Sequence, residues 1–410
     1  MKRLILLSSI AILLSGCNSL FFETTISKDN KLAIVRNPDP EIYDSAKMDS
    51  LQTYNENAAN IWAYDFRCRN LSNLDLKNNL TELLHSDFDS KTVWPTSLPA
   101  GFIPDSIMEI GKNPGLNIRK LHQSGITGNG VAIAIIDQPI LINHCEYKGR
   151  LKMYEEIHVP KKLQAQMHGL AVTSLAVGKT TGVAPEADLY YIATTPYGSP
   201  ICSYVKYVLF RKFDLNLKWY VKAIYRILEI NRTLPEDKKI RVISISFGGE
   251  DKSFIKAIEQ AEKEGVFVVS SSISHTHNLR FNGLGKDYLT NPDDPNSYFP
   301  GLWWSKNYYK NPDRFKIDST LLVPMDSRCT ASQSGDSNYV FYSDGGWSWS
   351  IPYIAGLYAL ACQVKPDITP HEFWNKALET GDIIDLQKDG KKLKFGKIVN
   401  PTKLINSLKR

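Results

Sequence analysis

The chain has 410 residues, of which 43% are hydrophobic and 22% are charged. This length allows two or three domains, or one large α/β domain with an extension, and the composition excludes a mainly disordered chain. The 49 Lys and Arg residues exceed the 43 Asp and Glu residues only slightly and form no basic run, so the charge does not indicate nucleic acid as a partner.

The first residues, 1–16, have the pattern of an export signal. Lys2 and Arg3 precede a largely apolar run that is too short to cross a bilayer as a helix. The sequence LSGC, which ends at Cys17, resembles the lipobox of bacterial lipoproteins. This resemblance implies cleavage before Cys17 and a lipid on that residue, which would anchor an exported protein to a bacterial membrane, at the cell surface or the periplasmic face. A plain secretory signal that happens to contain a cysteine is the alternative.

Three stretches follow the signal. Residues 17–60 are polar and predict a surface tether. Residues 61–100 contain several aromatic and leucine side chains and form either a prosegment or an amino-terminal extension of the main domain. Residues 101–410 are expected to form one α/β domain.

Strands and helices alternate along this main domain. Apolar runs predict strands at 131–136, 188–193, 241–246 and 266–269, and helical spacing predicts helices at 168–177, 219–229 and 254–264 and a last helix from near Ser348. This order predicts a mostly parallel central sheet with helices on both faces. Ligands bind beyond the carboxyl ends of the strands in such sheets.

Three polar residues lie at strand ends or helix starts, where they would face one cleft. Asp137 follows the first strand, His168 opens the next helix, and Ser348 lies near the start of the predicted last helix. A serine hydroxyl needs a base to become a nucleophile, an imidazole can take its proton, and a carboxylate can orient the imidazole. Alternatively, Asp137 caps a turn, His168 is a core or capping histidine, and Ser348 is a helix N-cap.

The order Asp, His, Ser and the sequences around these residues resemble the subtilisin-like serine proteases, or subtilases. The resemblance rests on five motifs: AIIDQPI (134–140), HGLAVTSLAVG (168–178), GVAPEADLYYI (182–192), SFGG (246–249) and GWSWSIP (346–352). It implies a subtilisin-like three-layer fold and a serine endopeptidase domain over 101–410. In that enzyme Ser348 would form the acyl-enzyme, His168 would act as base and then as acid, and Asp137 would orient the imidazole.

The resemblance also implies how substrate is bound. Ser246, Phe247, Gly248 and Gly249 match the strand edge that binds extended peptides in the family. The asparagine that the family uses to stabilise the oxyanion is missing, and Ser274 takes its position. Ser274 is therefore the first candidate for the second oxyanion donor, and His275 is the other.

No cofactor is expected. Structural calcium is frequent in the family, but no acidic loop indicates it here, and His275 and His277 lack a third metal ligand in the sequence. The expected partners are a peptide or protein substrate and a membrane reached through the amino-terminal lipid, with the protein acting as a monomer. Two other functions stay open: a degenerate subtilase that binds peptides without cleaving them, and a surface scaffold used for adhesion.

Overall fold

The computed structural model describes residues 22–41, 47–55, 64–196 and 216–409. The predicted signal peptide 1–16 and Cys17 lie outside the described residues. In chain order, the strands are β1 (Phe22–Thr25), β2 (Phe88–Asp89), β3 (Ala132–Asp137), β4 (Leu151–Pro160), β5 (Asp188–Thr194), β6 (Ile240–Ile245), β7 (Phe267–Ser270), β8 (Phe281–Lys286), β9 (Tyr298–Pro300), β10 (Leu321–Pro324), β11 (Arg328–Ala331), β12 (Tyr339–Tyr342), β13 (Asp382–Lys388) and β14 (Lys391–Ile398). The helices are α1 (Leu80–Leu84), α2 (Pro104–Lys112), α3 (Ile118–Gln123), α4 (Met167–Val177), α5 (Lys218–Thr233), α6 (Lys252–Lys263), α7 (Ile273–Thr276), α8 (Leu302–Lys310), α9 (Trp347–Val364), α10 (Pro370–Thr380) and α11 (Pro401–Leu408).

The central sheet has six strands in the order β1-β4-β5-β3-β6-β7, and all neighbours are parallel except β1 with β4. Alternate residues of β3 face opposite sides of the sheet because side chains alternate along a strand. Ile133 and Ile135 pack in one core with α4 and α9. Ala134 and Ile136 pack in a second core with α5 and α6. The predicted α/β class, with a mostly parallel sheet and helices on both faces, is confirmed.

Two smaller sheets complete the domain. One has the order β13-β14-β10-β8-β9, and the other joins β11, β12 and β2 by antiparallel pairing. Neither was predicted from the sequence. The helix predicted as the last one is also not the last, because α10 and α11 follow it and pack against it and against each other.

Part of the predicted tether lies against the domain. β1 pairs with β4 at the sheet edge, and Arg36 makes a salt bridge of 2.7 Å with the buried Glu156. These residues therefore differ from a free surface tether. The physical reason is that β4 would otherwise leave its backbone groups unpaired at the edge of the sheet, and residues 22–25 pair with them.

The amino-terminal extension is also packed. Within its described residues, 64–100, a cluster formed by Phe66, Leu71, Leu83 and Phe88 includes Phe341 of the main domain. Among the helices in the described part of the chain, none combines the length and apolar character needed to cross a bilayer.

Candidate active site

Asp137 and His168 form a hydrogen-bonded pair. Asp137 is the last residue of β3 and is 3% exposed, and its Oδ1 lies 2.7 Å from His168 Nδ1. The same oxygen accepts the backbone N–H of Gln138 at 2.8 Å. Gly169 permits this arrangement, because a Cβ atom there would overlap the carbonyl oxygen of Gln138. The carboxylate therefore holds the Nδ1 edge of the imidazole in a fixed orientation.

The pair also changes the acidity of the histidine. Burial acts to lower the pKa of His168, but the charge of Asp137 and its hydrogen bond outweigh this effect, so the pKa is raised above 6.5. The side chain of His168 remains 27% exposed. An imidazole with one nitrogen bound to a carboxylate and with solvent access can serve as a proton acceptor.

Ser348 is the second residue of α9, whose N-cap is Gly346. The serine is therefore not the N-cap, contrary to the alternative interpretation from the sequence. Its hydroxyl donates to the carbonyl of Ser246 at 3.4 Å, and among the hydrogen bonds of the described residues none joins Ser348 to His168. The adjoining Trp349 packs its ring 5.5 Å from the ring of His168. α9 thus places the residue after Ser348 against the histidine, while the Ser348 hydroxyl is bonded to Ser246.

The segment 246–249, which was expected to form a strand edge, lies just beyond β6, which ends at Ile245. Ser246 donates its hydroxyl to the carbonyl of Ser348 at 2.8 Å, and the carbonyl of Phe247 accepts the N–H of Ser271 at 3.2 Å. Gly248 lies against Ser272 so closely that a Cβ atom would overlap the serine hydroxyl. The segment is therefore held between the start of α9 and the loop after β7. Gly249, which follows it, lies close to Leu217.

A cavity of about 420 Å³ lies beside the start of α9. Ser274 and His275, the predicted oxyanion donors, line it together with Trp347, the residue before Ser348. His275 also lies 3.3 Å from Glu250, so its imidazole has a charged partner. Asn282, which the sequence analysis did not single out, lines the same cavity and carries the amide that the family's asparagine would supply.

Further residues that the sequence did not reveal hold the segment 343–346, which precedes the serine. Asp326 accepts the N–H of Gly345 at 2.8 Å and that of Leu302 at 3.1 Å. Asp87, from the amino-terminal extension, accepts the N–H of Ser343 at 2.9 Å. No spacing rule connects residues this far apart in sequence.

In ranges 22–41, 47–55, 64–196 and 216–409, no group of three or more His, Cys, Asp or Glu side chains is arranged to hold a metal ion. His277 is buried, and burial lowers its pKa to about 4.

Part of the chain matches a known protein family. Residues 128–298 match the family model described as the subtilase family. The matched segment contains Asp137, His168 and Ser274 and ends before Ser348. The match supports the predicted subtilisin-like arrangement of the central sheet.

Individual relatives are distant. The subtilisin-like protease 2 of Trichophyton rubrum is 26% identical over 268 residues, which cover 64% of this chain and 57% of the relative. A subtilisin-like protease of Coccidioides posadasii is 26% identical over 274 residues, which cover 64% of this chain and 59% of the relative. The chain therefore matches less than two thirds of the length of these fungal proteins.

The similarity to solved structures is also low in sequence identity. The prenylagaramide maturation protease PagA is 15% identical, with a TM-score of 0.45, over 71% of this chain and 98% of that one. A cold-adapted subtilisin-like serine proteinase is also 15% identical, with a TM-score of 0.44, over 66% of this chain and 89% of that one.

Proposed function

We propose that this protein is a serine endopeptidase of the subtilase type, with Asp137, His168 and Ser348 as its catalytic residues. The observation that carries the proposal is the 2.7 Å hydrogen bond between a buried carboxylate and a partly exposed imidazole at the carboxyl end of β3. Ser348 lies on the helix whose Trp349 packs against that imidazole. The family match over 128–298 supports the same reaction class.

In the proposed reaction, the Ser348 hydroxyl oxygen attacks the carbonyl carbon of the substrate while its proton passes to His168 Nε2. The tetrahedral intermediate collapses when the C–N bond breaks and His168 gives the proton to the leaving amine. Water then attacks the acyl carbon and loses a proton to the same nitrogen, the bond between that carbon and Ser348 Oγ breaks, and His168 returns the proton to Ser348 as the carboxylic acid leaves. Asp137 keeps the imidazole oriented and stabilises its protonated form. Ser348 leaves the Ser246 carbonyl for His168 in this cycle, since catalytic hydrogen bonds often form only with substrate bound.

The oxyanion would form at the start of α9. The backbone N–H of Ser348 and the positive end of the helix dipole favour a negative charge there. A second donor is expected from the adjacent cavity, where the Asn282 amide, the Ser274 hydroxyl and the His275 imidazole are available. Asn282 would supply the side-chain amide that the family has at the position of Ser274.

Substrate would bind in extended form along residues 246–249, which continue the chain beyond the end of β6. We further propose that the protein is exported, that Cys17 carries the lipid that anchors it to a bacterial membrane, and that it acts as a monomer. No cofactor enters the reaction.

Hydrolysis of a fluorogenic peptide library by the full mature protein tests this proposal. Ser348→Ala should abolish turnover. Ser350→Ala is the matched control, because Ser350 lies on the same helix, is fully buried and donates only to the carbonyl of Pro324. Equal turnover by wild type and Ser348→Ala would overturn the assignment.

A peptide-binding protein without catalysis is the second candidate. It is favoured by the Ser348 hydroxyl, which donates to Ser246 instead of His168. A folded wild type that binds peptides, with affinity unchanged in Ser348→Ala, and that cleaves none of them would support this candidate.

A further inference from the structure

The amino-terminal extension is built into the sheet that leads to the nucleophile. β2 pairs with β12 through Phe88 with Phe341 and Asp89 with Val340. Phe88 and Phe341 are both buried, and their rings lie 5.3 Å apart. The extension therefore shares its core with the main domain instead of resting on its surface.

β12 ends at Tyr342, only a few residues before Ser348. Asp87 receives the N–H of Ser343 at 2.9 Å and its hydroxyl at 3.3 Å. The position of the segment 343–346 thus depends on a carboxylate supplied by the extension. Asp326 holds Gly345, two residues further along, from the side of the main domain.

A second set of contacts connects the extension with His168. The Arg67 guanidinium donates to the Tyr342 hydroxyl at 3.1 Å and is held by Asp65. The Tyr342 ring packs against that of Trp349 at 5.3 Å, and Trp349 packs against His168. The extension thus contacts the residues that precede the nucleophile and, through two aromatic rings, the base.

We infer that Asp87 is a positioning residue for Ser348, and that the extension over 64–100 is a permanent part of the catalytic unit and not a removable prosegment. This inference rests on the proposed peptidase function. A prosegment that is removed after folding would take with it the acceptor of Ser343 N–H and the partner strand of β12. A retained extension keeps both.

The test compares the full mature protein with Asp87→Ala, using the rate of labelling by a fluorophosphonate and the split between kcat and KM. The expected result is a loss of about 10-fold to 100-fold in both the labelling rate and kcat, with KM little changed, because the nucleophile is displaced and the peptide-binding segment is not. Asp87→Asn keeps an acceptor oxygen and should recover most of the activity.

Asp89→Ala is the matched control. Asp89 lies two residues from Asp87 and is 4% exposed, and its carboxylate accepts from the N–H and thiol of Cys68, the N–H of Lys91 and the Thr92 hydroxyl, which all belong to the extension. The control is expected to lower stability while the labelling rate per folded molecule stays at the wild-type value. If Asp87→Ala does not fold, Asp87→Glu is tested in its place. This variant keeps the carboxylate but moves its acceptor oxygens by one methylene group, so kcat should again fall.

Mass spectrometry of the active, labelled protein supplies the other readout and should find residues 64–100 still attached. An active form that begins after residue 100 would overturn the inference, and so would an Asp87→Ala variant that labels at the wild-type rate. Equal kcat losses in Asp87→Ala and Asp89→Ala would do the same. Failure of the wild type to label at all would contradict the proposed function instead.

Discussion

Ser246 and Ser348 hold each other through two hydrogen bonds. The Ser246 hydroxyl donates to the carbonyl of Ser348 at 2.8 Å, and the Ser348 hydroxyl donates to the carbonyl of Ser246 at 3.4 Å. One residue begins the predicted peptide-binding segment, and the other is the predicted nucleophile. Substrate binding along 246–249 would therefore directly affect the position of the Ser348 side chain.

Ser246→Ala should lower kcat more than it raises KM. The substitution removes the stronger of the two bonds, worth about 1 kcal/mol of stability, and loosens the first turn of α9. Ser244→Ala is the control, because Ser244 is also buried and its hydroxyl has no hydrogen-bond partner among the residues that the structure describes. Steady-state kinetics and thermal unfolding of both variants check this. Indistinguishable kcat values for the two would contradict the role given to Ser246.

Activity should rise with pH through an ionisation above 6.5, since the pKa of His168 is raised and the base works in its neutral form. Asp137→Asn removes the charge that raises this pKa and leaves the imidazole without its carboxylate. The midpoint of the kcat/KM profile should then move to lower pH, and kcat should fall by about 10⁴-fold. A variant with an unchanged midpoint would show that Asp137 does not control the base.

Asp326→Asn should gain stability relative to wild type as pH rises, starting from a deficit at low pH because the amide can accept only one of the two backbone N–H groups that Asp326 accepts. Burial raises the pKa of Asp326 from 3.8 to about 7, so the folded state favours the protonated acid and loses stability as pH increases through that range. An asparagine carries no charge to desolvate. The difference in unfolding free energy between variant and wild type should grow, by at most roughly 4 kcal/mol, between about pH 4 and pH 8. Denaturant titrations at the two pH values measure it, and a pH-independent difference would refute the expectation.

Single substitutions can identify the second oxyanion donor. Asn282→Ala should lower kcat by about 10²-fold to 10³-fold with little effect on KM, and Ser274→Ala should have a smaller effect. Thr320→Val controls for damage to the cavity, because Thr320 also lines it and its hydroxyl donates only to the Lys316 carbonyl. If Ser274→Ala gives the larger loss, the donor lies at the family's sequence position. If neither changes kcat, neither side chain is the donor, and His275 is the remaining candidate in the cavity.

The sequence was sufficient to predict the parallel sheet and the helices that cover it. Apolar strands buried on both faces and helices with clear stop signals are local patterns, so β3, α4 and α6 lie within two residues of their predicted bounds. The pairing of Asp137 with His168 also follows from position, because a strand end and the start of the next helix meet at the same edge of the sheet.

Contacts between distant parts of the chain were not predictable in this way. Asp87 and Ser343 are separated by 256 residues, and β2 has only two residues, too few to show a period. The polar residues around β1 predict a tether, and nothing in the sequence indicates that β1 pairs with β4 at the edge of the central sheet. Asn282 reaches the cavity only because β8 lies beside the loop after β7, a neighbourhood that depends on the fold.

The most direct test of the central claim is to label the wild-type protein with a fluorophosphonate and locate the adduct by peptide mass spectrometry. The account predicts one phosphonyl group on Ser348, formed at a rate that falls sharply in His168→Ala. A folded protein that remains unlabelled, or an adduct on any other serine, would contradict it.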